Sequence, residues 1–563
     1  MEIASFRHQS DSRYCFSISP TQVLLRLACA KSVNLENVTV IYGDPMTFGK
    51  KHREQGCVLR HTDQGYHYYE TIIDVSPARL MYVFRVKGEG RECYFAESGL
   101  CDSYKFDLAF ISAFQFVGEN ENDYVKESPS WQGKVIYQIF VERFACGGGD
   151  KPYVNTPWNT PTLVKKPKAM LGGDIAGITQ KLDYLQELGI GAIYLTPVHP
   201  SPSNHKYDVL DYYDIDAGFG GKKAFLEFVQ ESKKRGINVM MDMVFNHVSS
   251  QHPFFLDVVE RGKESLYYSY FFINGNKPTK YPLNYRCFGY VAGMPKLNTN
   301  NKEVQNYLIG VASYYAKEYG IDGFRLDVSE GVSHDLWIKM KIALKEINPN
   351  IILIGENWLN SESYLGPNQL DGVMNYPFLG VVSGYVLRIK NALETAEGLE
   401  GLLMRYKDGH SKMMMNVLST HDIQRFTTLV GGDKDLALIG YAISMFYWGY
   451  PLVYYGDEIF MEGGGDPDNR RGMRWDSPVF DSYHHRCFKS LIQLRKNMSL
   501  KVGDIDIHSE NGLLVIRRTY GGKSLTLYCN MQEKEVVFGG EPILSNKVGA
   551  GVIWPHGFAV IAK

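Results

Sequence analysis

From Trp131 onward the chain alternates short apolar segments with amphipathic helical segments. Five of the apolar segments are VIYQIFV, AIYLTPV, INVMMDMVF, GFRLDV and IILIGE, and GVMNYPF, MMMNVL and PLVYYG follow them. Eight such segments, each followed by helical or irregular chain, favour a closed barrel of parallel strands over an open doubly wound sheet. We therefore predict an α/β fold, a (β/α)8 TIM barrel, over residues 131–499.

The chain on either side of this region has a β-type pattern. Runs such as TQVLLRLACA and RLMYVFRVKG predict an N-terminal β-sandwich over residues 1–118, followed by a polar linker at 119–130. The chain returns to a β pattern at its end, which predicts a C-terminal β domain over residues 500–563. Residues 248–298 interrupt the third strand–helix unit and are too long for a simple loop, so we expect a small inserted domain there.

Composition argues against several classes of partner. Lys and Arg number 60 and Asp and Glu 62, a balance that does not favour nucleic acid or an anionic membrane. No stretch approaches the ~18 apolar residues of a membrane span, and the start of the chain lacks the apolar run of a secretory signal. The nine cysteines are scattered and never spaced as CxxC, as expected for reduced thiols. We expect a cytoplasmic protein without a nucleic-acid or membrane partner.

Charged residues collect at the C-terminal ends of the predicted barrel strands, where the functional residues of such barrels lie. Arg325 and Asp327 share one face of the fourth strand, and this pair alone fits a structural ion pair as well as a functional site. The wider set favours function, because each buried unpaired charge costs several kcal/mol. This set comprises Asp327, Glu356, Asp422, His247, His421 and Arg325.

Such a rim suits the cleavage of an acetal. One carboxylate attacks or stabilises an oxocarbenium-like centre, and a second carboxylic acid with a raised pKa protonates the leaving oxygen. Metal-dependent hydrolysis is the rival interpretation. It expects two or three imidazoles close together, whereas here the histidines come with an arginine that repels a cation.

Four segments, DMVFNH, GFRLDVS, IGEN and STHD, resemble in order and spacing the signature regions of the α-amylase family of glycoside hydrolases. Met294–Asn298 resembles a fifth region found in the neopullulanase, cyclomaltodextrinase and maltogenic amylase branch. With YQIFVERF, SPSNHKYD and GGGDPDNRRGMRWD, the resemblance spans about residues 131–480. The N-terminal sandwich is similar to the starch-binding-like module that precedes the barrel in that branch.

The resemblance implies three catalytic roles. It makes Asp327 the nucleophile of a covalent glucosyl intermediate, Glu356 the general acid and then base, and Asp422 the carboxylate that holds ring hydroxyls. We expect Arg325 to keep Asp327 ionised by its opposite charge. Glu356, without such a neighbour, is expected to stay protonated.

The resemblance also implies substrate-binding residues, which are Tyr207, His247, Arg325, His421, Asp466 and Arg470. Tyr207 is expected to stack on a sugar ring and the two histidines to donate to its hydroxyls. A surface salt bridge is the alternative for Asp466 and Arg470, and for Trp358 stacking on sugar and packing are equally good interpretations.

Many relatives bind calcium through residues just after the ERF motif. In this chain ERFACGGGDKPYVN offers Asp150, and Asp174 is a further candidate. Two acids with few hard oxygen partners make a poor calcium site. We therefore predict no metal and no cofactor.

The leading hypothesis is a retaining hydrolase of α-1,4 glucosidic bonds in cyclodextrins, pullulan or maltooligosaccharides. A transglycosylase or isomerase on the same rim is an alternative. A non-catalytic carbohydrate-binding relative is another, although it would be expected to lack one of the three carboxylates.

The resemblance further implies a homodimer in which the N-terminal domain covers the partner's barrel. Exposed aromatics in Tyr66–Glu70 and Met81–Phe84 are candidates for this interface, with sandwich core as the alternative.

Overall fold

The structure is a computed structural model that describes residues 1–75, 79–118, 120 and 124–563. Residues 119 and 121–123 of the predicted linker lie outside the described residues. The chain divides into two compact units. The first comprises residues 1–127, 390–412 and 506–515, and the second comprises 128–389, 413–505 and 516–563.

The first unit contains the predicted N-terminal β-sandwich, built from two antiparallel sheets. One sheet contains Phe6–Arg7, Cys15–Ser19, Gln22–Ala30, Val58–Thr62 and Tyr66–Asp74. The other contains Leu35–Gly43, Arg53–Gly56, Arg79–Gly88, Arg91–Ala96, Gly99–Cys101 and Phe114–Val117. Alternate residues Val23, Leu25 and Leu27 pack in the core with Tyr82 and Phe84, as the two-residue period of a strand requires.

Met81–Phe84 does not supply an exposed surface, so its prediction as an interface segment is wrong. Tyr82 and Phe84 lie in the core between the sheets, while Met81 and Val83 pack on the opposite face with Phe48. The strand is covered on both faces, which explains why its sequence is apolar without alternation.

Residues 390–412 belong to the first unit and form the helices Ala392–Leu403 and Asp408–Ser411. Buried Arg26 lies 2.5 Å from Glu70 and 2.9 Å from Asp408. His61 lies 2.5 Å from Glu400. These buried ion pairs join segments that are far apart in the chain.

The second unit contains a closed barrel of parallel strands, with eight strands among the described residues. In chain order they are Ile136–Ile139, Ala192–Leu195, Asn238–Met243, Gly323–Leu326, Ile352–Gly355, Gly372–Asn375, Met415–Asn416 and Tyr450–Tyr454. Each strand pairs with the next, and the last pairs with the first. The predicted (β/α)8 fold is confirmed.

Helices follow the barrel strands. They are Val141–Phe144, Ile175–Gln180, Leu182–Leu188, Gly221–Lys234, Lys302–Glu318, His334–Ile347, Tyr376–Val386, Phe426–Leu429, Lys434–Phe446, Tyr483–Leu494 and Met498–Val502. Side-chain caps fix where two of the longer helices, Lys302–Glu318 and Lys434–Phe446, begin. Asn301 accepts from the N–H of Glu303 at 2.8 Å, and Asp433 does the same for Asp435 at 2.8 Å, which satisfies backbone donors that the first helical turn leaves free.

The inserted segment after the third strand forms a small structure of its own. It contains the helix Pro253–Arg261 and short bridges that return the chain to the barrel, among them His247 with Lys296. The ring of Phe255 packs against those of Phe271 and Tyr285, with centroids 5.0 and 5.1 Å apart. Folded structure is therefore inserted after the third strand, within the second compact unit; its bounds as a separate domain stay a prediction.

The chain ends in β structure, as predicted. Its last strand, Val552–Ala562, pairs antiparallel with Lys523–Asn530, Val536–Val537 and Leu544–Gly549. Asp504–Glu510 and Leu513–Tyr520 are the strands that precede them. Within the described ranges, no helix combines the length and apolar character needed to cross a bilayer.

Candidate active site

One buried guanidinium organises the C-terminal rim of the barrel. Arg325 is fully buried, and its Nη1 donates to both carboxylate oxygens of Asp242 at 3.0 Å and to Asp327 Oδ1 at 2.8 Å. Its Nη2 lies 3.0 Å from Glu356 Oε2, within ion-pair distance although it is not aligned for a hydrogen bond. Asp242 lies opposite Arg325 in the strand register. The strand pairing therefore brings these groups together.

The contact with Glu356 overturns one expectation. We predicted that Glu356 has no positive neighbour, whereas Arg325 lies 3.0 Å from Glu356 and 3.0 Å from Asp242. The spacing within a strand shows which side chains of that strand share a face, but Glu356 follows the neighbouring strand. A single guanidinium thus faces three carboxyl groups, and negative charge exceeds positive charge around it.

A sharp turn after the fourth strand brings Asp327 and Glu356 together. Val328 has a φ of 43°, in the left-handed region that a β-branched residue rarely adopts. This turn directs the Val328 N–H to Glu356 Oε2 at 2.9 Å. Glu356 Oε1 accepts from the Trp358 indole at 3.2 Å. The strained backbone at Val328 therefore holds Glu356 through Oε2.

The electrostatic environment of the rim favours a state in which at least one of its carboxyl groups is protonated. Burial raises the pKa of Asp327, and the charge of Glu356 raises it further, while Arg325 opposes both effects. Burial also raises the pKa of Asp422, against the lowering effects of Arg325 and Arg470. Carboxyl groups that repel one another titrate as a set. The rim suits chemistry that needs one ionised and one protonated carboxyl group.

A chain of hydrogen bonds connects four strand ends. Gln138 Nε2 donates to His421 Nδ1 at 2.8 Å, so the hydrogen of His421 lies on Nε2, which donates to the Tyr207 oxygen at 2.6 Å. The Tyr207 hydroxyl donates to Asp242 Oδ2 at 2.8 Å. The rings of Tyr207 and His421 are parallel within 5°. Burial lowers the pKa of His421 well below its usual value, and nearby arginines lower it further, so this imidazole is neutral.

His247 and Asp422 present polar atoms to the same cavity. Asp422 Oδ1 lies 3.2 Å from His421 Nε2 and 3.5 Å from Arg470 Nη2. His247 is buried, and its Nε2 has no hydrogen-bond partner in the described part of the chain. Burial lowers the pKa of His247 to about 3. Asn246 Nδ2 donates to its Nδ1 at 3.2 Å, so Nε2 is a neutral donor available to a ligand.

Arg470 is not part of a simple surface ion pair. It is 9% exposed, its Nε donates to the His421 carbonyl oxygen at 2.8 Å, and its Nη1 lies 2.9 Å from Asp466. The bond to His421 anchors Arg470 to the loop that carries Asp422. The ion pair of the alternative interpretation is present, with Asp466 49% exposed, but the Arg470 side chain is also bonded to the backbone beside Asp422.

Seven of the nine predicted site residues border one cavity of about 370 Å³. Asp327, Glu356, Asp422, Tyr207, His247, Asp466 and Arg470 line it. Arg325 and His421 do not line it but bond to residues that do. The segment DMVFNH contains Asp242, but its sequence does not show that this residue anchors Arg325. The sequence analysis also missed Phe288 and Glu330 as lining residues. Phe288 lies in the inserted segment, whose sequence carries no signal for its position.

Trp358 packs against a neighbouring ring and also borders the cavity. Its ring stacks on Tyr376, with centroids 3.9 Å apart and planes within 5°, and it also lines the cavity at 42% exposure. Packing on one face holds the indole so that its N–H reaches Glu356. The following Leu359 is 76% exposed.

The region after the ERF motif does not fit a calcium ion. Asp174 caps the helix Ile175–Gln180, where it accepts from the N–H groups of Gly177 at 2.6 Å and Gly147 at 2.9 Å. The Lys151 ammonium contacts the same carboxylate and also the carbonyl oxygen of Gly172 at 2.5 Å. A positive side chain therefore engages the oxygens that a calcium ion would need. The other candidate, Asp150, is exposed.

Comparisons with known proteins agree with this geometry. The chain matches the alpha amylase catalytic domain over residues 138–484 and the alpha amylase N-terminal ig-like domain over residues 1–117. It is 36% identical over 554 residues to a cyclomaltodextrinase of Thermoanaerobacter pseudethanolicus, covering 96% of this chain and 95% of that protein. It is 35% identical over 544 residues to the intracellular maltogenic amylase of Bacillus subtilis, covering 94% and 91%.

Solved structures give the same result. A cyclomaltodextrinase structure superposes with a TM-score of 0.90 at 27% identity, covering 100% of this chain and 98% of that one. The barrel, the carboxyl groups on its rim and the sequence matches all lead to one assignment. The chain belongs to the α-amylase family of glycoside hydrolases.

Proposed function

We propose that this glycoside hydrolase cleaves α-1,4 glucosidic bonds of cyclodextrins, pullulan or maltooligosaccharides with retention of configuration. One observation carries the proposal: Asp327 and Glu356, from neighbouring strands, contact the same guanidinium and line one cavity. The resemblance to the cyclomaltodextrinase and maltogenic amylase branch supports the choice of substrates. The two carboxyl groups suit a nucleophile that attacks the anomeric carbon and an acid that protonates the leaving oxygen of the same glycosidic bond.

The contacts of the two carboxyl groups indicate which oxygen of each takes part in the reaction. Arg325 engages Asp327 Oδ1 at 2.8 Å, so we assign attack on the anomeric carbon to Oδ2. Glu356 Oε2 accepts from the Val328 N–H and lies 3.0 Å from Arg325 Nη2, whereas Oε1 accepts a longer bond of 3.2 Å from the Trp358 indole. We therefore assign the proton to Oε1. As the glycosidic C–O bond breaks, Glu356 protonates the leaving oxygen and Asp327 forms a β-linked ester. Water then gives a proton to Glu356 and displaces Asp327, which yields the α-product.

The other polar groups bind the sugar at the cleavage point. Asp422 accepts hydrogen bonds from ring hydroxyls, and the unpaired Nε2 of His247 donates to one. The N–H of His421 is directed to the Tyr207 oxygen, so His421 positions Tyr207 instead of donating to the sugar. The parallel arrangement of the two rings provides a rigid aromatic surface for the sugar ring. Asp466 and Arg470, at the same cavity, are assigned to a neighbouring glucose unit.

The first test replaces the two reacting groups. Asp327→Asn and Glu356→Gln are each expected to lower kcat on β-cyclodextrin by several orders of magnitude with the fold intact, because each supplies a step that the other cannot replace. Asp335→Asn is the matched control, since this carboxylate is 59% exposed and pairs with Lys339. Near-normal hydrolysis by either active-site variant would contradict the assignment.

Product analysis separates the remaining alternatives. NMR of fresh product from an α-linked substrate is expected to show the α anomer, because two inversions restore the configuration. Transfer of the glucosyl group to a second sugar instead of water would produce longer oligosaccharides and indicate a transglycosylase. Appearance of the β anomer first would reject the covalent mechanism.

We also propose that the protein is a cytoplasmic homodimer whose N-terminal domain borders the partner's active site. Its cysteines are free thiols throughout the described chain, as in reducing compartments, and the B. subtilis relative is named as intracellular. The N-terminal unit exposes apolar residues in the 3-10 helix Phe106–Ile111, with Phe110 65% and Ile111 70% exposed. These residues join Tyr66–Glu70, where Tyr66 and Tyr69 are partly exposed, as interface candidates, and Met81–Phe84 is no longer one.

A further inference from the structure

A second cavity lies outside the catalytic rim, between the helices Leu182–Leu188 and Tyr483–Leu494. Its volume is about 350 Å³, in the range of small-molecule sites. Among the described residues it shares no lining residue with the catalytic cavity. One segment connects the two, because Asp466 and Arg470 line the first cavity and Trp475 lines the second. No step of the proposed mechanism uses this second cavity.

Aromatic rings form one wall of this cavity. The planes of Trp475 and Phe480 are parallel within 3°, with centroids 6.2 Å apart. The Tyr184 ring meets both at its edge, at 5.3 and 6.0 Å. The Trp475 indole donates to the Phe144 carbonyl oxygen at 2.7 Å, which fixes its orientation. The result is a rigid apolar surface that is only partly buried, of the kind that packs against the C–H face of a sugar.

His485 adds an unused donor to the same cavity. It is 5% exposed, and its Nδ1 accepts from the Asp481 N–H at 3.2 Å. Burial lowers the pKa of His485, so the ring is neutral and its hydrogen lies on Nε2. Nε2 has no hydrogen-bond partner within the described ranges, and leaving a buried donor unpaired costs ~1–3 kcal/mol. A ligand oxygen in the cavity would remove this cost.

The charges around the cavity are balanced. Lys181 and Lys489 line it together with Glu187 and Asp481. The Lys181 ammonium also lies 4.3 Å from the centre of the Trp475 ring. Equal numbers of acids and bases do not select an anion or a cation, but they offer donors and acceptors to hydroxyl groups.

We propose that this cavity is a second saccharide site, which binds one or two glucose units of an α-glucan away from the catalytic rim. The rings of Trp475 and Phe480 hold the apolar face of the sugar, and His485 Nε2 donates to a hydroxyl oxygen. The preference for a neutral sugar follows from the cavity, whereas the choice of an α-glucan rests on the proposed function. Such a site keeps a long substrate attached while the catalytic cavity acts on one end.

The test uses the full chain carrying Glu356→Gln, so that the ligand is not consumed. Isothermal titration with maltotriose is expected to show two sites per chain. Addition of Trp475→Ala is expected to weaken one site at least tenfold. His485→Phe keeps the ring volume while it removes the donor, and it is expected to do the same if Trp475→Ala does not fold. Trp554→Ala, at another partly exposed tryptophan (46%), is the matched control and should keep both sites.

Several results would overturn the proposal. One is a single site in the Glu356→Gln chain, and another is two unchanged sites after both Trp475→Ala and His485→Phe. Inorganic phosphate that displaces maltotriose from the second site would show an anion site instead. Failure of the proposed function is distinguishable, because the unmodified chain would then not hydrolyse β-cyclodextrin whatever the number of maltotriose sites.

Discussion

At the scale of single residues, Arg325 explains most of the organisation of the rim. It carries the one positive charge that contacts Asp242, Asp327 and Glu356 together in the described structure. A buried arginine with three acidic neighbours is strongly coupled to all of them. Its loss should therefore affect both the stability of the barrel and the protonation of the catalytic carboxyl groups.

We expect Arg325→Leu to lower the free energy of unfolding by ~3–5 kcal/mol, because it leaves buried carboxylates without a cation. Arg325 lowers the pKa of Asp327, so its removal raises that pKa. Hydrolysis requires ionised Asp327, and the acid limb of the pH–activity profile should move to higher pH in any residual activity. Arg325→Lys, which keeps the charge, should show a smaller shift. An unchanged acid limb in Arg325→Leu would contradict this role.

Tyr207 allows a test of a single hydrogen bond in the rim. Tyr207→Phe keeps the ring that lies parallel to His421 but loses the hydroxyl that donates to Asp242 at 2.8 Å. A hydrogen bond to a charged group contributes ~1.5–3 kcal/mol, so kcat/KM should fall ~10- to 100-fold. The control is Tyr385→Phe, whose buried hydroxyl donates to the Cys529 carbonyl oxygen at 2.8 Å, remote from the rim in sequence. Equal losses in the two variants would indicate a general effect of deleting a buried hydroxyl.

At the scale of elements, the first and eighth strands are joined through a buried acid. Glu458, in the 3-10 helix Asp457–Ile459, accepts from the Tyr137 and Tyr184 hydroxyls at 2.8 Å each. Burial raises the pKa of Glu458 to about 7. The folded chain therefore keeps a proton that the unfolded chain loses near the ordinary value of 4.5. The contribution of Glu458 to stability decreases as the pH rises from about 4.5 to about 7.

We expect Tyr137→Phe to destabilise the fold more at pH 8 than at pH 5. At pH 8 the lost bond is to an ionised carboxylate and contributes ~1.5–3 kcal/mol, whereas at pH 5 it is a neutral bond of ~0.5–1.5 kcal/mol. Urea unfolding at the two pH values measures the difference. Tyr385→Phe, which loses a bond to a backbone carbonyl, should give the same loss at both. A loss in Tyr137→Phe that does not depend on pH would reject the linkage.

At the scale of the whole molecule, the first unit includes residues 390–412 as well as the N-terminal sandwich. Deletion of residues 1–118 would remove Arg26 and His61, which contact Asp408 and Glu400. The deletion is therefore expected to destabilise the chain in addition to any effect on assembly. Surface substitutions give a cleaner test of the proposed dimer.

We expect Phe110→Ser combined with Ile111→Ser to convert the dimer to a monomer in sedimentation experiments. The substitutions remove apolar side chains that are 65% and 70% exposed and that an interface would bury. The proposed dimer predicts that the ratio of starch to cyclodextrin activity rises in this variant, because a partner's domain would no longer narrow the cleft. Val537→Ser, at a 72% exposed position in the C-terminal domain, should change neither property. A double variant that stays dimeric with an unchanged ratio would rule this interface out.

Local sequence patterns were sufficient to predict the order of the secondary-structure elements and most residues of the catalytic rim. Strand period and helix period report which side chains face inward, so eight barrel strands were recognisable. Their C-terminal ends carry Asp327, Glu356 and Asp422, and the parallel arrangement places all such ends together. The same reasoning recognised that Arg325 and Asp327 share a face, because both belong to one strand.

Contacts between segments that are distant in sequence could be determined only from the tertiary structure. The approach of Arg325 to Glu356, the burial of Met81–Phe84 on both faces and the cavity beside Trp475 each involve elements that are separated in sequence. Periodicity describes the geometry along one segment, but it carries no information about the distance between two segments. Packing sets those distances, and with them the charge around each carboxyl group, which is why the neighbours of Glu356 were mispredicted while its place on the rim was not.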